Sequence, residues 1–188
     1  MYIIVDDQIR LELTHEKHAP ALFDVVDANR AHLSQFLPWV GYMQSVEDFK
    51  VYCRNCEMLF QQGREASFVI FNNNQLAGRI GFHHMVLQNK TAAIGYWLSK
   101  EAEQKGIITR SCTTLINYGF NNLQLHRIEI KAAVNNFKSQ AIPEKLLFKK
   151  EGVLREAELV NNEYLDLFVY SLLSGEWPHK EAVKTLHD

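Results

Sequence analysis

The sequence contains few residues of the kinds that mark linkers, crosslinks or separate domains. Its 188 residues include 4 prolines, 9 glycines and 3 cysteines, with no low-complexity tract and no internal repeat. Because nothing marks a boundary, we expect one domain over residues 1–188. Three cysteines are an odd set that cannot all pair within the chain, which favours a reducing compartment over a disulfide framework.

Long apolar runs and an excess of one charge are also missing. No apolar run approaches the roughly 20 residues that span a bilayer, and residues 1–8 carry no basic leader. The 20 Lys and Arg are balanced by 22 Asp and Glu, so no basic surface for nucleic-acid phosphates is indicated. We therefore expect a cytoplasmic protein without a membrane or nucleic-acid partner.

The hydrophobic residues follow strand and helix periods in alternation. The pattern predicts strands at Ile9–Leu13, Ala66–Phe71, Gln75–His84, Thr91–Leu98, Arg127–Val134, Leu154–Val160 and Glu163–Leu172. It predicts helices within Ala19–Phe36 and Val46–Gln62, from Gly106 to before Leu123, and at Ser139–Leu147.

The most informative feature is a strand that leads through a short loop into a helix. The strand ends in Gly95-Tyr96-Trp97-Leu98, and the helix opens at Gly106. Unpaired amide N–H groups and the positive end of the helix dipole suit a pyrophosphate there. Gly106 lets the backbone approach phosphate oxygens, and Lys105 and Thr109 add a charge and a hydroxyl. Taken alone, a glycine that merely starts a packed helix is the commoner explanation.

Four segments of the chain, two of which contain these residues, resemble the GNAT superfamily of N-acetyltransferases. The segments are Gly95–Leu98, Glu103–Ile108, Asn136–Ser139 and Phe148–Gly152. Within the superfamily, the chain is most similar to the ribosomal-protein N-terminal alanine and serine acetyltransferases, from the Ile9-Arg10-Leu11 strand to Trp177. The resemblance implies an α/β (α+β) fold. Its single mixed, mostly antiparallel twisted sheet would have helices on both faces and a splayed central strand pair.

The resemblance also implies acetyl-CoA as the co-substrate and a set of residues that contact it. These are Tyr96, Trp97, Leu98, Gln104, Lys105, Gly106, Ile107, Ile108, Thr109 and Asn136. The backbone of Tyr96–Leu98 would hydrogen-bond the pantetheine arm, and one of its amides would stabilise an oxyanion. The family loop usually has Gln or Arg at the position of Glu103 and Gly or Ala at that of Ile108. Amide donors do not depend on these side chains.

Two residues receive proton-transfer roles from the resemblance. Ser139 would protonate the departing thiolate, and Glu158 would take a proton from the substrate ammonium. By local chemistry alone, Ser139 is a candidate helix N-cap. Glu158 is equally a solvated strand carboxylate, which Glu156 would join on one face if the strand is regular. Both alternatives stay open.

No metal is expected. Cys53 and Cys56 have zinc-like spacing but no second pair, and Cys112 falls on the apolar stripe of its helix. The adjacent His83 and His84 would point to opposite faces of a strand.

The sequence therefore predicts an acetyl-CoA-dependent N-acetyltransferase that acts on a primary amine, in its most specific form the N-terminal α-amine of a ribosomal protein. The alternatives are a small amine acceptor (a polyamine, an aminoglycoside or an amino acid) and a non-catalytic acyl-CoA-binding module. Residues near Arg30–Asp48 are candidates for a peptide groove, although packing explains Phe36, Leu37 and Trp39 equally well. A homodimer is a further expectation, through apolar residues of the closing hairpin, Tyr164, Leu165, Phe168 and Tyr170.

Overall fold

A computed structural model describes residues 1–178, 183 and 185–186 of the chain. Within them, nine strands form one sheet: β1 (Tyr2–Ile4), β2 (Ile9–Leu13), β3 (Ala66–Asn72), β4 (Gln75–Val86), β5 (Thr91–Leu98), β6 (Arg127–Ala133), β7 (Lys149–Val160), β8 (Glu163–Leu173) and β9 (Thr185–Leu186). The α-helices are α1 (Ala19–Ala28), α2 (Arg30–Leu33), α3 (Val46–Gln61), α4 (Ile107–Asn121) and α5 (Phe137–Lys145).

The strands lie in the order β7-β8-β6-β5-β4-β3-β2-β1-β9. Every neighbouring pair is antiparallel except β5 and β6, which are parallel because α4 carries the chain across between them. The predicted mixed, mostly antiparallel sheet is confirmed.

The parallel pair separates along its length. β5 and β6 are paired from Thr91 opposite Arg127 to Ile94 opposite Ile130. Beyond that point β5 continues to Leu98 while paired only with β4, and β6 continues to Ala133 while paired with β8. The predicted splay is therefore present, and it leaves Gly95–Leu98 without a partner strand on one side.

Each face of the sheet is covered by a separate hydrophobic cluster. On one face α4 buries Cys112, Leu115 and Ile116 against strand residues such as Ile80 and Ile94. On the other face α1 and α3 pack Leu22, Val26, Phe49 and Cys53 against Val69 and Trp97. Helices therefore cover both faces of the sheet, as predicted.

Several element boundaries differ from the sequence prediction. Strand β1 was not predicted, because three residues are too short for a period to be visible. Helix α5 begins at Phe137 rather than Ser139, and β7 begins at Lys149 rather than Leu154.

The apolar set proposed for the closing hairpin is wrong in part. Tyr164 is 64% exposed, but Tyr170 is fully buried in the core. Leu165 and Phe168 are half-buried.

Gly78 holds the free end of β5 against β4. A Cβ at Gly78 would lie 2.1 Å from the carbonyl oxygen of Trp97 and 2.9 Å from the Cα of Leu98. We expect Gly78→Ala to lower the free energy of unfolding by about 2 kcal/mol or more, because the backbone of β5 must shift. The matched control is Gly152→Ala, where no atom lies within 4 Å, with an expected change below about 0.5 kcal/mol. Urea unfolding measures both, and equal losses would contradict the packing argument.

Candidate active site

A cavity of about 650 Å³ lies where β5 and β6 separate. Three parts of the chain line it. The first is the α2 region, with His32, Leu33, Gln35, Phe36 and Leu37. The second is the end of β5 and the start of α4, and the third runs from Asn135 into α5 as far as Ile142. Its volume suits a small-molecule cofactor or substrate.

The wall formed by the start of α4 has the geometry of an anion site. Gly106 is the N-cap of the helix in a left-handed conformation, with φ of 71°, and Gln104 is also left-handed, with φ of 61°. Left-handed residues alternating with ordinary backbone form concave groups of N–H donors that bind anions. Ile107, Ile108 and Thr109, whose amides belong to the first turn, line the cavity.

No side chain of the helix itself neutralises this N-terminus. Helix α4 has no capping side chain and no acidic residue in its first turn. Helix α3 differs, since Ser45 caps it and Glu47 and Asp48 lie in its first turn. The positive end of the α4 dipole is therefore available to a ligand in the cavity.

The carboxylate of Glu103, which lines the cavity, has a charged partner in Lys138 and a ring nitrogen of His32 nearby. Its Oε2 lies 2.5 Å from the Lys138 Nζ, and its Oε1 lies 3.3 Å from the His32 Nε2. All three residues line the cavity, so Glu103 links α2, the loop and α5. The departure from the family pattern at Glu103 is thus matched by a partner on α5.

Ser139 is the third residue of α5 and not its N-cap, which corrects the sequence prediction. The cap is Asn136, whose Oδ1 accepts the Ser139 N–H at 3.2 Å. The Ser139 carbonyl accepts a hydrogen bond from the Tyr96 hydroxyl at 2.9 Å. Burial raises the pKa of Tyr96 well above its usual value, so the phenol stays a neutral donor. These two bonds fix the backbone of a half-buried serine at the cavity wall.

Glu158 lies on β7, opposite Leu165 of β8, and is half-buried. Desolvation by burial raises the pKa of its carboxyl above the ordinary 4.5, which suits a group that takes up a proton. A bulge between Leu154 and Glu158 places Glu156 in a left-handed conformation, with φ of 49°. The regular strand that would set Glu156 and Glu158 on one face is therefore absent.

The structure brings all but two of the predicted site residues to the cavity. Those that line it are Tyr96, Trp97, Leu98, Gln104, Gly106, Ile107, Ile108, Thr109, Asn136 and Ser139. Lys105 and Glu158 are not among the lining residues. The functional roles of all twelve stay predictions.

Sequence reasoning did not place His32, Gln35, Phe137 and Lys138 at this cavity. Lys138 and Phe137 fall inside the segment that carried the resemblance, which was the one available signal. Phe36 and Leu37 line the cavity, whereas the Trp39 ring packs 6.0 Å from that of Trp97.

The three cysteines are buried, and the two adjacent histidines lie close together. Cys53, Cys56 and Cys112 are buried and free, and burial raises the pKa of Cys53 to about 12 and that of Cys112 further. His83 and His84 do not point to opposite faces as predicted. A bulge after His83 and a positive φ at His84 bring their rings to 4.8 Å.

The residues that the structure describes are 1–178, 183 and 185–186. They contain no group of three or more His, Cys, Asp or Glu side chains able to hold a metal ion. Nor do they contain a helix with the length and apolar character needed to cross a bilayer.

Comparison with known proteins decides the family. Residues 8–149 match the acetyltransferase (GNAT) domain. The chain belongs to the GNAT acetyltransferase family. It is 34% identical over 169 residues to the ribosomal-protein-serine acetyltransferase of Escherichia coli (strain K12). The aligned region covers 90% of this chain and 94% of that protein.

Solved structures of GNAT acetyltransferases superpose closely on this chain. One is RimL, the ribosomal L7/L12 alpha-N-protein acetyltransferase, in complex with coenzyme A, with a TM-score of 0.89, 32% identity, and 92% of this chain and 98% of that one covered. Another is the microcin C7 self immunity acetyltransferase MccE with acetyl-CoA and AMP, with a TM-score of 0.86, 29% identity, and coverage of 90% and 94%. The predicted family, fold, enzyme class and acetyl-CoA co-substrate are confirmed.

The Asn136 cap yields a stability prediction. Asn136→Ala removes the acceptor of the Ser139 N–H, and we expect a loss of about 1 kcal/mol in the free energy of unfolding. Asn136→Ser keeps a capping oxygen, so its free energy of unfolding should fall by less than about half as much as that of Asn136→Ala. Thermal unfolding of the two variants beside the wild type measures the difference. An Ala variant as stable as the Ser variant would show that the cap contributes nothing.

Proposed function

We propose that this GNAT enzyme transfers an acetyl group from acetyl-CoA to the N-terminal α-amine of a ribosomal protein, and that the whole chain works as one acetyltransferase domain. The observation that carries the proposal is the continuous cavity. It joins the uncapped start of α4 to Ser139 past the unpaired edge of β5. The acceptor class rests on the likeness to ribosomal-protein acetyltransferases over nine tenths of the chain.

The donor would bind along two walls of the cavity. The amides from Gln104 to Thr109 would hold the pyrophosphate, since the helix has no acidic residue of its own there. The unpaired edge of Tyr96–Leu98 would bind the amides of the pantetheine arm as an added strand does. An N–H of the same edge would donate a hydrogen bond to the thioester oxygen as negative charge develops on it.

The acetyl group would pass directly from the thioester to the amine, without a covalent enzyme intermediate. The free amine attacks the thioester carbonyl, the C–S bond breaks and the sulfur leaves as a thiolate. The Ser139 hydroxyl would donate the proton that neutralises this thiolate, and the proton that the attacking nitrogen loses as it becomes the amide would restore the hydroxyl. The hydrogen bonds that the Ser139 backbone makes with Asn136 and Tyr96 hold this residue in place, so the position of its Cα relative to the cavity is fixed.

Glu158 would supply the other proton transfer. A substrate ammonium must lose a proton before it attacks, and a half-buried carboxylate with a raised pKa is a stronger base than an exposed one. Glu158 does not line the donor cavity, which suits a group that faces the acceptor instead, directly or through a water.

We also propose that the protein works in the cytoplasm and associates as a homodimer. The exposed apolar side chains of the closing hairpin, Leu159 at 49% and Tyr164 at 64% exposure, would contribute to the contact.

An acceptor panel tests the function. We expect acetyl-CoA-dependent thiol release with N-terminal peptides of ribosomal proteins, with mass spectrometry placing the acetyl group on the α-amine. Ser139→Ala should lower kcat by about a hundredfold or more while the KM for acetyl-CoA stays unchanged, because its backbone contacts remain. Turnover of small amines alone would move the function to a small-molecule acetyltransferase. Coenzyme A binding without turnover of any acceptor would contradict the enzymatic proposal.

The role of Glu158 gives a pH prediction. The base acts when deprotonated, so kcat/KM should fall as pH falls through the pKa of Glu158, which burial holds above 4.5. Glu158→Gln should abolish this acidic limb and lower kcat/KM by about a hundredfold. Glu156→Gln, an exposed carboxylate two residues away, is the control and should keep the wild-type profile. An unchanged acidic limb in Glu158→Gln would exclude Glu158 as the base.

A further inference from the structure

The turn between β1 and β2 contacts the first turn of α4, through Asp6 and a residue 104 positions later in the sequence, Arg110. Asp6 is fixed within this turn, because its Oδ1 accepts the backbone N–H groups of Gln8 at 2.8 Å and Ile9 at 2.9 Å. Its Oδ2 accepts a hydrogen bond from the Arg110 Nη1 at 2.5 Å. A rigid carboxylate therefore sets the position of the Arg110 guanidinium.

The second arm of Arg110 reaches the loop backbone. Its Nη2 donates to the carbonyl oxygen of Lys105 at 3.2 Å, and its Nε lies 4.0 Å from where a Cβ on Gly106 would be. One planar guanidinium thus spans the Asp6 carboxylate and the Lys105 carbonyl. Lysine, with a single point donor on a flexible stem, does not reproduce such a fork.

The residue held in this way lies between two left-handed residues. Gln104 has φ of 61° and Gly106 has φ of 71°, on either side of Lys105. The conformation is unfavourable for Gln104, which has a Cβ, and such residues persist when the surrounding structure holds them. The bond from Arg110 to the Lys105 carbonyl is a contact that holds the loop at this point.

We infer that Asp6 and Arg110 are positioning residues that fix the loop amides for the pyrophosphate of coenzyme A. The inference rests on the proposed placement of the donor at Gln104–Thr109. The pair is partly exposed, with side-chain exposures of 29% for Asp6 and 41% for Arg110, so it adds little stability as an ion pair. Asp6 also compensates the charge of Arg110, which weakens any direct attraction of phosphate. The geometry of the loop is what the pair contributes.

Calorimetric titration with two ligands tests this inference on the full chain. Coenzyme A carries the pyrophosphate, whereas pantetheine lacks it and, in the proposed placement, would contact only the β5 edge. We expect Arg110→Gln to raise the Kd of coenzyme A by about tenfold and to leave that of pantetheine within about twofold. Arg110→Lys should weaken coenzyme A binding about as much, although it keeps the charge. Asp6→Asn, which retains the Oδ1 acceptor of the turn, should weaken it in the same direction.

The matched control is Arg54→Gln, which removes another partly exposed arginine, on α3, whose Nη1 lies 3.0 Å from the Glu16 carboxylate and which does not line the cavity. Its coenzyme A affinity should be unchanged. Wild-type affinity in Arg110→Lys, tighter binding in Asp6→Asn, or equal losses for both ligands would overturn the inference. If the wild type itself binds coenzyme A no better than pantetheine, the proposed pyrophosphate site is wrong as well. If the wild type discriminates and the variants keep that discrimination, only the positioning role fails.

Discussion

Strands β5 and β6 stop pairing at Ile94 and Ile130, and the cavity exists because both strands continue past that point. Each half of the sheet stays intact since β4 supports β5 and β8 supports β6. At Gly78 the missing Cβ lets the backbone of β4 approach the free end of β5 closely, at Trp97 and Leu98. An edge of unsatisfied backbone groups is thereby kept open inside a compact domain, where it is normally costly. A linear ligand with amide groups is the natural partner for such an edge.

The charge at this opening comes from the backbone rather than from side chains. Glu103 and Lys138 compensate each other's charge, and Asp6 compensates that of Arg110. What is left uncompensated is the start of α4, which has neither a capping side chain nor an acidic residue in its first turn. An anion therefore meets donors whose positions are set by the fold, and these do not have to be ordered when it binds.

The sequence was sufficient for features that repeat or that depend on local chemistry. The period of α4 was long enough to identify, and Gly106 after a strand indicated an anion site. Local rules failed where two residues competed for one role. Asn136 and Ser139 are both good caps, and the structure uses Asn136. The bulge near Glu156 carries no local signal, and the contribution of His32 to the cavity arises from tertiary packing.

The proposed acid and base belong to the half of the sheet that contains β6, β7 and β8, whereas the proposed pyrophosphate loop belongs to the half that contains β5. Ser139 follows β6 and Glu158 belongs to β7, whereas the pyrophosphate loop follows β5. The two halves meet again where the Asn161 Nδ2 in the β7–β8 turn donates to the Ser34 carbonyl at 2.9 Å, just after α2. The hairpin is thereby tied to the α2 region, which itself lines the cavity. The amides proposed to hold the donor belong to the backbone of β5 and α4, so the side chains of the α2 region and the hairpin can differ while those donors stay the same, which is how one scaffold serves different amines.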